Sequence, residues 1–190
     1  EQYQQAVGQF QEGKAQACLD TLAVIRQRDP NYPDPEGIEA PARKRVNRQQ
    51  RLRELYNRGV EQIGQERWDE AIATFQELQQ EESNYEDVEN RLAIARHLGR
   101  LSSLLEQARG SLEQEQYVDC VDKLDGLQGI DDDYQREKVS NLRQEALKRL
   151  HEQAQRLLRQ EKFEDSLAAL AALQERAPDY PELEQVEALE

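Results

Sequence analysis

Apolar residues follow a helical period most clearly over residues 56–85. The positions that a helix hairpin would bury there are Gly59, Ile63, Ala71, Ile72, Phe75 and Leu78. Three of them recur at intervals of three, which is typical of the apolar stripe of an amphipathic helix. Gly59 and Ala71 lack bulk, so two helices could approach closely where these residues meet. We therefore predict two amphipathic helices joined by a tight turn.

The same pattern of apolar and polar positions occurs four times along the chain. The copies cover residues 3–32, 56–85, 105–134 and 151–180. Their small-residue pairs are Ala6 with Cys18, Gly59 with Ala71, Ala108 with Cys120, and Ala154 with Ser166. All variation in length falls between the copies, in steps of about one helical turn, which leaves every side chain on its original face. The connecting segments are therefore predicted to be helical, and stacked copies to share a continuous core.

Turn signals divide the chain into alternating long and short helices. We predict helices at about 1–13, 15–28, 36–65, 67–81, 86–114, 116–128, 134–160 and 162–176, and a last helix beginning near Pro181. Gly129 is a typical helix stop, and Asp34 is a candidate cap for the third helix. Trp68, Tyr117 and Phe163 occupy one slot at the start of a short helix, so we expect each of them to pack between helices.

The four copies resemble the tetratricopeptide repeat (TPR). In that family a small residue on the first helix meets a small residue on the second, a large apolar residue follows, and proline is favoured after the second helix. The matching residues are Gly59, Ala71 and Phe75 in the second copy, Cys18 and Pro30 in the first, and Ser166 and Pro178 in the fourth. The repeat length of 46–53 residues exceeds the family's usual length of about 34, which implies a longer first helix.

The resemblance implies an all-α fold in which antiparallel helix hairpins stack as a right-handed α-solenoid, a TPR-like superhelix. We expect residues 1–190 to form a single TPR-like repeat domain. Because the chain begins at Glu1 and contains no methionine, we expect it to be a fragment of a longer protein. The family implies a protein–protein interaction module, a scaffold that presents a groove to a peptide or protein partner. The alternative is a regulatory or sensor segment of a multidomain bacterial signalling enzyme, such as a kinase, NTPase or protease, whose catalytic domain lies outside this chain.

Charge and composition limit the partners of the chain. The net charge of −14 disfavours nucleic acid, because phosphate binding needs a positive surface. The longest apolar run covers residues 167–173, which is too short to cross a membrane, so no membrane insertion is expected. Cys18 and Cys120 occupy one slot in two copies and are expected to be free, which favours a reducing, cytoplasmic location.

No arrangement of residues in the sequence indicates catalysis or a bound cofactor or metal, so we expect the chain not to be an enzyme. Residues 131–133 are consecutive aspartates without the alternating ligands and the glycine of a calcium loop, and they are expected to place negative charge at a helix N-terminus. His151 lacks a second histidine one turn later, as a zinc-protease helix would have, and His97 has no apparent partner.

A basic segment interrupts the acidic chain between residues 43 and 58, where seven cations accompany a single acid. Lys44, Arg48, Arg51 and Arg58 follow helical spacing on one face, and we define these four residues as the basic strip. Because guanidinium and ammonium groups pair with carboxylates, the strip is a candidate docking site for an acidic peptide, or for another domain of the same protein. The alternative is that these cations pair with glutamates of neighbouring helices.

Overall fold

The computed structural model of the chain describes residues 1–181, and in that range it contains α-helices and no β-strand. The helices are α1 (Gln2–Gln11), α2 (Ala15–Arg28), α3 (Glu39–Gly64), α4 (Trp68–Glu81), α5 (Val88–Glu113), α6 (Tyr117–Ile130), α7 (Arg136–Arg159) and α8 (Phe163–Arg176). Neighbouring helices pack in sequence order. The predicted all-α fold is confirmed, and the helix predicted to begin near Pro181 lies outside the described residues.

Four hairpins of the same dimensions correspond to the four sequence copies. We number them hairpins 1 to 4, over residues 3–32, 56–85, 105–134 and 151–180. The second helix of every hairpin has 14 residues and begins at the same position of its copy. The first helices also end at one common position, which is Gln11, Gly64, Glu113 or Arg159. The register predicted from the apolar pattern therefore agrees with the helix boundaries.

The turn inside each hairpin contains one residue with a left-handed backbone. That residue is Gly13, Glu66, Glu115 or Glu161, with φ values from 57° to 80°. The next residue donates its N–H group to a carbonyl oxygen near the end of the first helix, as from Arg67 N to Gln62 O (2.9 Å). Such bonds satisfy carbonyl groups that the helix end leaves free. Glycine adopts this backbone without strain, so the three glutamates are less favourable there than glycine would be.

The long helix α3 changes its packing partners halfway along. Ala42 and Val46, together with Ile38 just before the helix, pack with α1 and α2, whereas Leu52 and Leu55 pack with α4. A helix of 26 residues is about 39 Å long, which is enough to serve two hairpins. The extra length that the repeat spacing implied is therefore used, in α3, to join hairpin 1 to hairpin 2.

Two helix boundaries differ from the prediction in informative ways. Gly129 does not end α6, because the helix continues to Ile130 and Asp131 N still donates to Leu127 O (3.0 Å). The helix therefore includes Gly129 despite the cost of about 1 kcal/mol for a glycine inside a helix. The third helix begins only at Glu39, yet Asp34 still accepts the N–H groups of its start, as the prediction required.

The chain forms two compact units, each with two hairpins. The first unit covers Glu1–Arg96 and contains hairpins 1 and 2, and the second unit begins at His97 and contains hairpins 3 and 4. The first unit has two apolar clusters, around Cys18 and around Phe75, and the second has one large cluster around Leu124. That residues 1–190 form a single repeat domain stays a prediction.

The small residues lie where the two helices of each hairpin meet, as predicted. Ala6, Cys18, Ala71, Ala108 and Cys120 are fully buried. At Gly59, an added Cβ atom would lie 2.6 Å from the ring of Phe75, so this contact requires the absence of a side chain.

The aromatic slot is an interface position in only part of the molecule. Tyr117 is buried, as predicted, and Trp68 is half-buried. The prediction is wrong for Phe163, whose exposed fraction is 58%. Tyr117 shares its apolar cluster with α7, the helix that follows hairpin 3. The helix that would follow hairpin 4 in the same way is predicted to begin near Pro181, outside the described residues.

Tyrosine–aspartate hydrogen bonds connect hairpins 1 and 2 to the helices that follow them. Tyr3 Oη donates to Asp34 Oδ1 (2.6 Å), and Asp34 accepts the N–H groups of Ile38 (3.1 Å) and Glu39 (2.9 Å). Burial alone would raise the pKa of Asp34, but these hydrogen bonds outweigh burial and hold the pKa below its ordinary value. Tyr56 donates to Asp87 at the equivalent position, and this bond is the main reason that the pKa of Asp87 is also lowered.

Candidate protein-binding surface

The basic strip lies on α3, around the point where this helix changes partners. Arg48 and Arg51 fall between Val46, which packs with hairpin 1, and Leu52, which packs with α4. Residues 47–51 carry no apolar side chain, so this interval has no stripe to bury. All four side chains of the strip are exposed.

Arg48 and Arg51 contact the C-terminal end of α4. Arg48 Nη2 lies 2.7 Å from Glu82 Oε2, and Arg51 Nη2 lies 2.6 Å from Glu81 Oε1 and 3.0 Å from Glu77 Oε1. The two arginine side chains keep exposed fractions of 54% and 61%. Half of the strip therefore forms the internal pairs that the alternative interpretation expected, and these pairs are accessible to solvent.

Lys44 and Arg58 lie at the two ends of the strip. Lys44 is one turn before Arg48, and Arg58 is two turns after Arg51 along α3. Neither forms an ion pair with any residue in the described range 1–181. The structure thus brings Arg48 and Arg51 together at the end of α4 and leaves the other two cations directed at solvent.

Arg48 belongs to a recurring position that the sequence analysis did not identify. The residue eight positions before hairpins 2, 3 and 4 is Arg48, His97 and Arg143, respectively. Arg48 Nη2 donates to Glu81 O (2.8 Å) and Arg143 Nη2 donates to Arg176 O (2.9 Å), the last carbonyl of the second helix in each case. A cation there also complements the negative end of the helix dipole.

His97 occupies the same position before hairpin 3. Its Nε2 atom lies 3.5 Å from Asp131 Oδ2, just after the end of α6. The expectation that His97 has no partner is therefore wrong. The pair could have been found by aligning the connecting segments backwards from the start of each hairpin, which places His97 in register with Arg48.

Other cations of the basic segment are committed to contacts within the first unit. Arg43 Nη2 pairs with Glu39 Oε1 (2.6 Å) one turn earlier. Arg45 lies over the ring of Phe10, with its guanidinium carbon 4.1 Å from the ring centre, and donates to Phe10 O (3.1 Å). Such a contact covers an apolar ring while leaving the charge near solvent.

The remaining candidate residues have structural contacts. Asp131 accepts the N–H groups of Asp133 and Tyr134, and Arg136 pairs with Asp132 (2.6 Å). No group of three or more acidic, histidine or cysteine side chains within residues 1–181 could hold a metal ion. His151 is buried in hairpin 4, with its ring centre 5.6 Å from that of Tyr180.

Both cysteines are free and buried. Burial raises the pKa of the Cys120 thiol to about 11 and also raises the pKa of Cys18. Because a thiol reacts as its thiolate, burial and a raised pKa both disfavour reaction, as expected of small side chains at a helix contact.

Comparison with protein family models, with curated proteins and with solved structures finds no match. In the part of the chain that the structure describes, no helix has both the length and the apolar character needed to cross a membrane.

Proposed function

We propose that the chain is a protein–protein interaction module whose basic strip binds an acidic peptide or protein. The scaffold in this proposal is a TPR-like, right-handed solenoid of helix hairpins. The observation that supports the proposal is a row of four exposed cations on one helix of a chain whose net charge is −14. The acidic partner is a separate protein or another domain of the same protein.

Lys44 and Arg58 would make the first contacts with the partner. They are exposed and form no ion pair within residues 1–181, so their charges are not neutralised by a specific neighbour. At physiological salt, attraction between exposed charges extends over roughly 8 Å. Binding through the strip is therefore expected to weaken as the salt concentration rises.

Arg48 and Arg51 would contribute by exchanging carboxylate partners. Exposed ion pairs contribute only about 0 to 1 kcal/mol, so a carboxylate of the partner can replace Glu82 or Glu77 at small cost. The bond from Arg48 to Glu81 O does not use a carboxylate and can persist in the complex. The arginine would then remain oriented while its second contact changes.

The test uses a fluorescent peptide of ten glutamates and the 190-residue chain, with fluorescence anisotropy as the readout. The double variant Lys44→Glu/Arg58→Glu is expected to weaken binding at least tenfold and to leave the thermal unfolding curve nearly unchanged. The control is Arg96→Glu/Arg100→Glu, which changes the net charge equally at two exposed positions of α5. Equal loss in both double variants would mean that only net charge matters, and the proposal would fail.

The variant Arg48→Glu/Arg51→Glu provides a second arm. It is expected to abolish peptide binding as well, but with a stability loss of about 1 kcal/mol or more, because it removes a hydrogen bond to the end of α4. If this variant and the Lys44→Glu/Arg58→Glu variant both bind the peptide like the unchanged chain, the strip has only a structural role.

A further inference from the structure

One stretch of α3 has exposed side chains on every side of the helix. Residues 47–51 are all exposed, whereas Val46 and Leu52, which flank them, are buried. Five residues make more than one full helical turn, so no face of α3 is buried at this level. Elsewhere in the helices of residues 1–181, at most three consecutive residues are exposed. We call residues 47–51 the exposed turn of α3.

The exposed turn separates the apolar clusters of hairpins 1 and 2. Val46 belongs to the cluster around Cys18. Leu52 belongs to the cluster around Phe75, and the two clusters have no residue in common. A helical segment without packing is only marginally stable in water, and few buried apolar contacts mean low local stability. Between the two clusters, α3 is therefore stabilised by its own backbone hydrogen bonds and by polar side chains.

Two arginine side chains connect the exposed turn to hairpin 2. Arg48 Nη2 lies 2.7 Å from Glu82 Oε2 at the end of α4. Arg51 Nη2 lies 2.6 Å from Glu81 Oε1 at the same end. Exposed ion pairs of this kind contribute little to stability, and salt weakens them further. The two arginines therefore restrain the exposed turn weakly, in a way that depends on the salt concentration.

Hairpins 3 and 4 are joined differently. The segment of α7 at the equivalent position, residues 142–146, has a single exposed residue, Gln144. Apolar residues of α6, α7 and α8 form one cluster, which includes Leu124, Leu147 and Leu173. The connection between these two hairpins is therefore stabilised by buried apolar contacts, which the exposed turn of α3 lacks.

We propose that residues 47–51 are a hinge at which hairpin 1 changes its angle to hairpin 2, with Arg48 and Arg51 as a salt-sensitive restraint. Hinges are short segments that absorb a change of backbone angles between bodies that keep their own packing. The two separate apolar clusters provide such bodies, and the exposed turn can bend without opening either of them. Equivalent bending between hairpins 3 and 4 would disrupt the cluster that they share.

The hinge also affects the basic strip, if the strip binds an acidic partner as proposed above. Lys44 and Arg58 lie on opposite sides of residues 47–51. Bending therefore changes the distance between the two end cations, so the strip can fit acidic surfaces of different curvature. A partner carboxylate that pairs with Arg48 or Arg51 would remove part of the restraint, which couples binding to bending. This coupling rests on the proposed function, whereas the hinge itself does not.

The experiment measures the distance between two nitroxide labels on the 190-residue chain by double electron–electron resonance, after both native cysteines are replaced by alanine. One label lies in the last turn of a second helix, and the other lies in the turn of the next hairpin. The label pairs are Gln27→Cys with Gln65→Cys, and Gly129→Cys with Gln160→Cys at the equivalent exposed positions of hairpins 3 and 4. The distance distribution of the first pair is expected to be about twice as wide as that of the second, because only the first pair spans the hinge.

Salt tests the restraint by the two arginines. In 1 M sodium chloride the screening length falls to roughly 3 Å, so the distribution of the first label pair should widen further. The second distribution should not change, because buried apolar contacts maintain the connection between hairpins 3 and 4. A first distribution that does not respond to salt would overturn the role of Arg48 and Arg51.

A matched pair of glycine variants tests the hinge itself. Gln49→Gly should widen the first distribution, because glycine loosens a turn that has no packing to support it. Gln144→Gly is the control, since it changes the same residue type at the equivalent exposed position of α7, and it should leave the second distribution unchanged. Far-UV circular dichroism verifies that both variants keep their helix content.

The hinge is overturned if the two label pairs give equally wide distributions, or if Gln49→Gly leaves the first distribution unchanged. It is also overturned if Gln144→Gly widens the second distribution as much as Gln49→Gly widens the first. No acidic ligand is present in these measurements, so their outcome is independent of the peptide-binding test.

Discussion

Hairpins 3 and 4 share their internal architecture but differ on their outer surfaces. Each has the same turn with a left-handed glutamate, and in each a second helix of 14 residues begins at the same position. Ala108 and Ala154 are buried at the helix contact, and Leu127 and Leu173 are fully buried beneath it. The outer slots differ completely, because Val121 is inaccessible while Leu167 is 60% exposed.

This difference separates two kinds of apolar position within one repeated pattern. Inner positions are buried by the partner helix of the same hairpin, so they are buried in every copy. Outer positions are buried only where a further helix packs on the hairpin. The side chains at the outer slots are apolar in both hairpins, and within residues 1–181 a following helix, α7, covers those of hairpin 3.

The largest predicted effect compares two leucines at one repeated position, which Phe75 occupies in hairpin 2. Leu124→Ala should lower the free energy of unfolding by about 3 kcal/mol, because it opens a cavity in a fully buried cluster. Leu170→Ala should cost less than half as much, because Leu170 is only half-buried. Urea denaturation followed by circular dichroism measures both values, and equal costs would show that the two slots have the same environment.

The next prediction concerns the inner contact. Gly59→Ala should destabilise the chain by about 1 to 3 kcal/mol, because the new methyl group would overlap the buried ring of Phe75. Gly110→Ala is the control, since Gly110 is also helical but no atom lies within 4 Å of its added Cβ, and alanine there should stabilise by up to about 1 kcal/mol. A neutral result at Gly59 would mean that the hairpin can open to accept the methyl group.

A third prediction concerns the pH dependence of the tyrosine–aspartate hydrogen bond in hairpin 1. Hairpin 3 has no such bond, because Leu105 stands where hairpins 1 and 2 have Tyr3 and Tyr56. Because the folded-state pKa of Asp34 is lowered, its hydrogen bonds stabilise the fold above the ordinary pKa of 3.8 and lose this effect as pH falls through the folded value. Tyr3→Phe should therefore cost about 1 kcal/mol at pH 7 and progressively less below pH 3.8.

The control for the pH prediction is Tyr32→Phe. The ring of Tyr32 packs on Tyr3, with 5.8 Å between the ring centres, but its hydroxyl group has no hydrogen bond to the described residues. Its removal should have a small effect that does not depend on pH. A Tyr3→Phe cost that stays constant from pH 7 to pH 3 would contradict the assigned role of Asp34.

The smallest predicted effect tests whether hairpins 3 and 4 have equivalent turns. Glu115→Gly and Glu161→Gly should each stabilise the chain by about 0.5 to 1 kcal/mol, because glycine adopts the left-handed backbone without strain. The two gains should be similar, since the turn does not depend on what covers the outer surface. Thermal unfolding of both variants, with Gly13→Ala as the expected destabilising counterpart, measures this.

The sequence was sufficient to predict the features that depend on one hairpin. The small pairs such as Gly59 with Ala71, the start of each second helix and the apolar inner positions all follow from local periodicity. The exposure of Phe163 could not be predicted, because it depends on whether another helix packs there. An apolar slot looks the same in the sequence whether it is covered or open.

The contacts of the basic strip required the structure for a different reason. Arg48 meets Glu82 across 34 residues of sequence, and His97 meets Asp131 across the same separation. In each pair, one residue lies in a segment of variable length between two hairpins and the other lies in a hairpin. An alignment of the hairpins alone therefore does not reveal these pairs. The structure shows that Arg48 and Arg143 both donate to the last carbonyl of a second helix, whereas His97 at the same repeated position lies near the Asp131 side chain.

The most direct test of the contrast between hairpins 3 and 4 is acrylamide quenching of tryptophan fluorescence at the two aromatic slots. In a Trp68→Phe background, Tyr117→Trp and Phe163→Trp each place a single indole in the chain. We expect slow quenching for the indole at position 117, where the slot is buried, and quenching several times faster at position 163, where it is open. Equal quenching at the two positions would contradict the claim that one repeated slot is covered in hairpin 3 and exposed in hairpin 4.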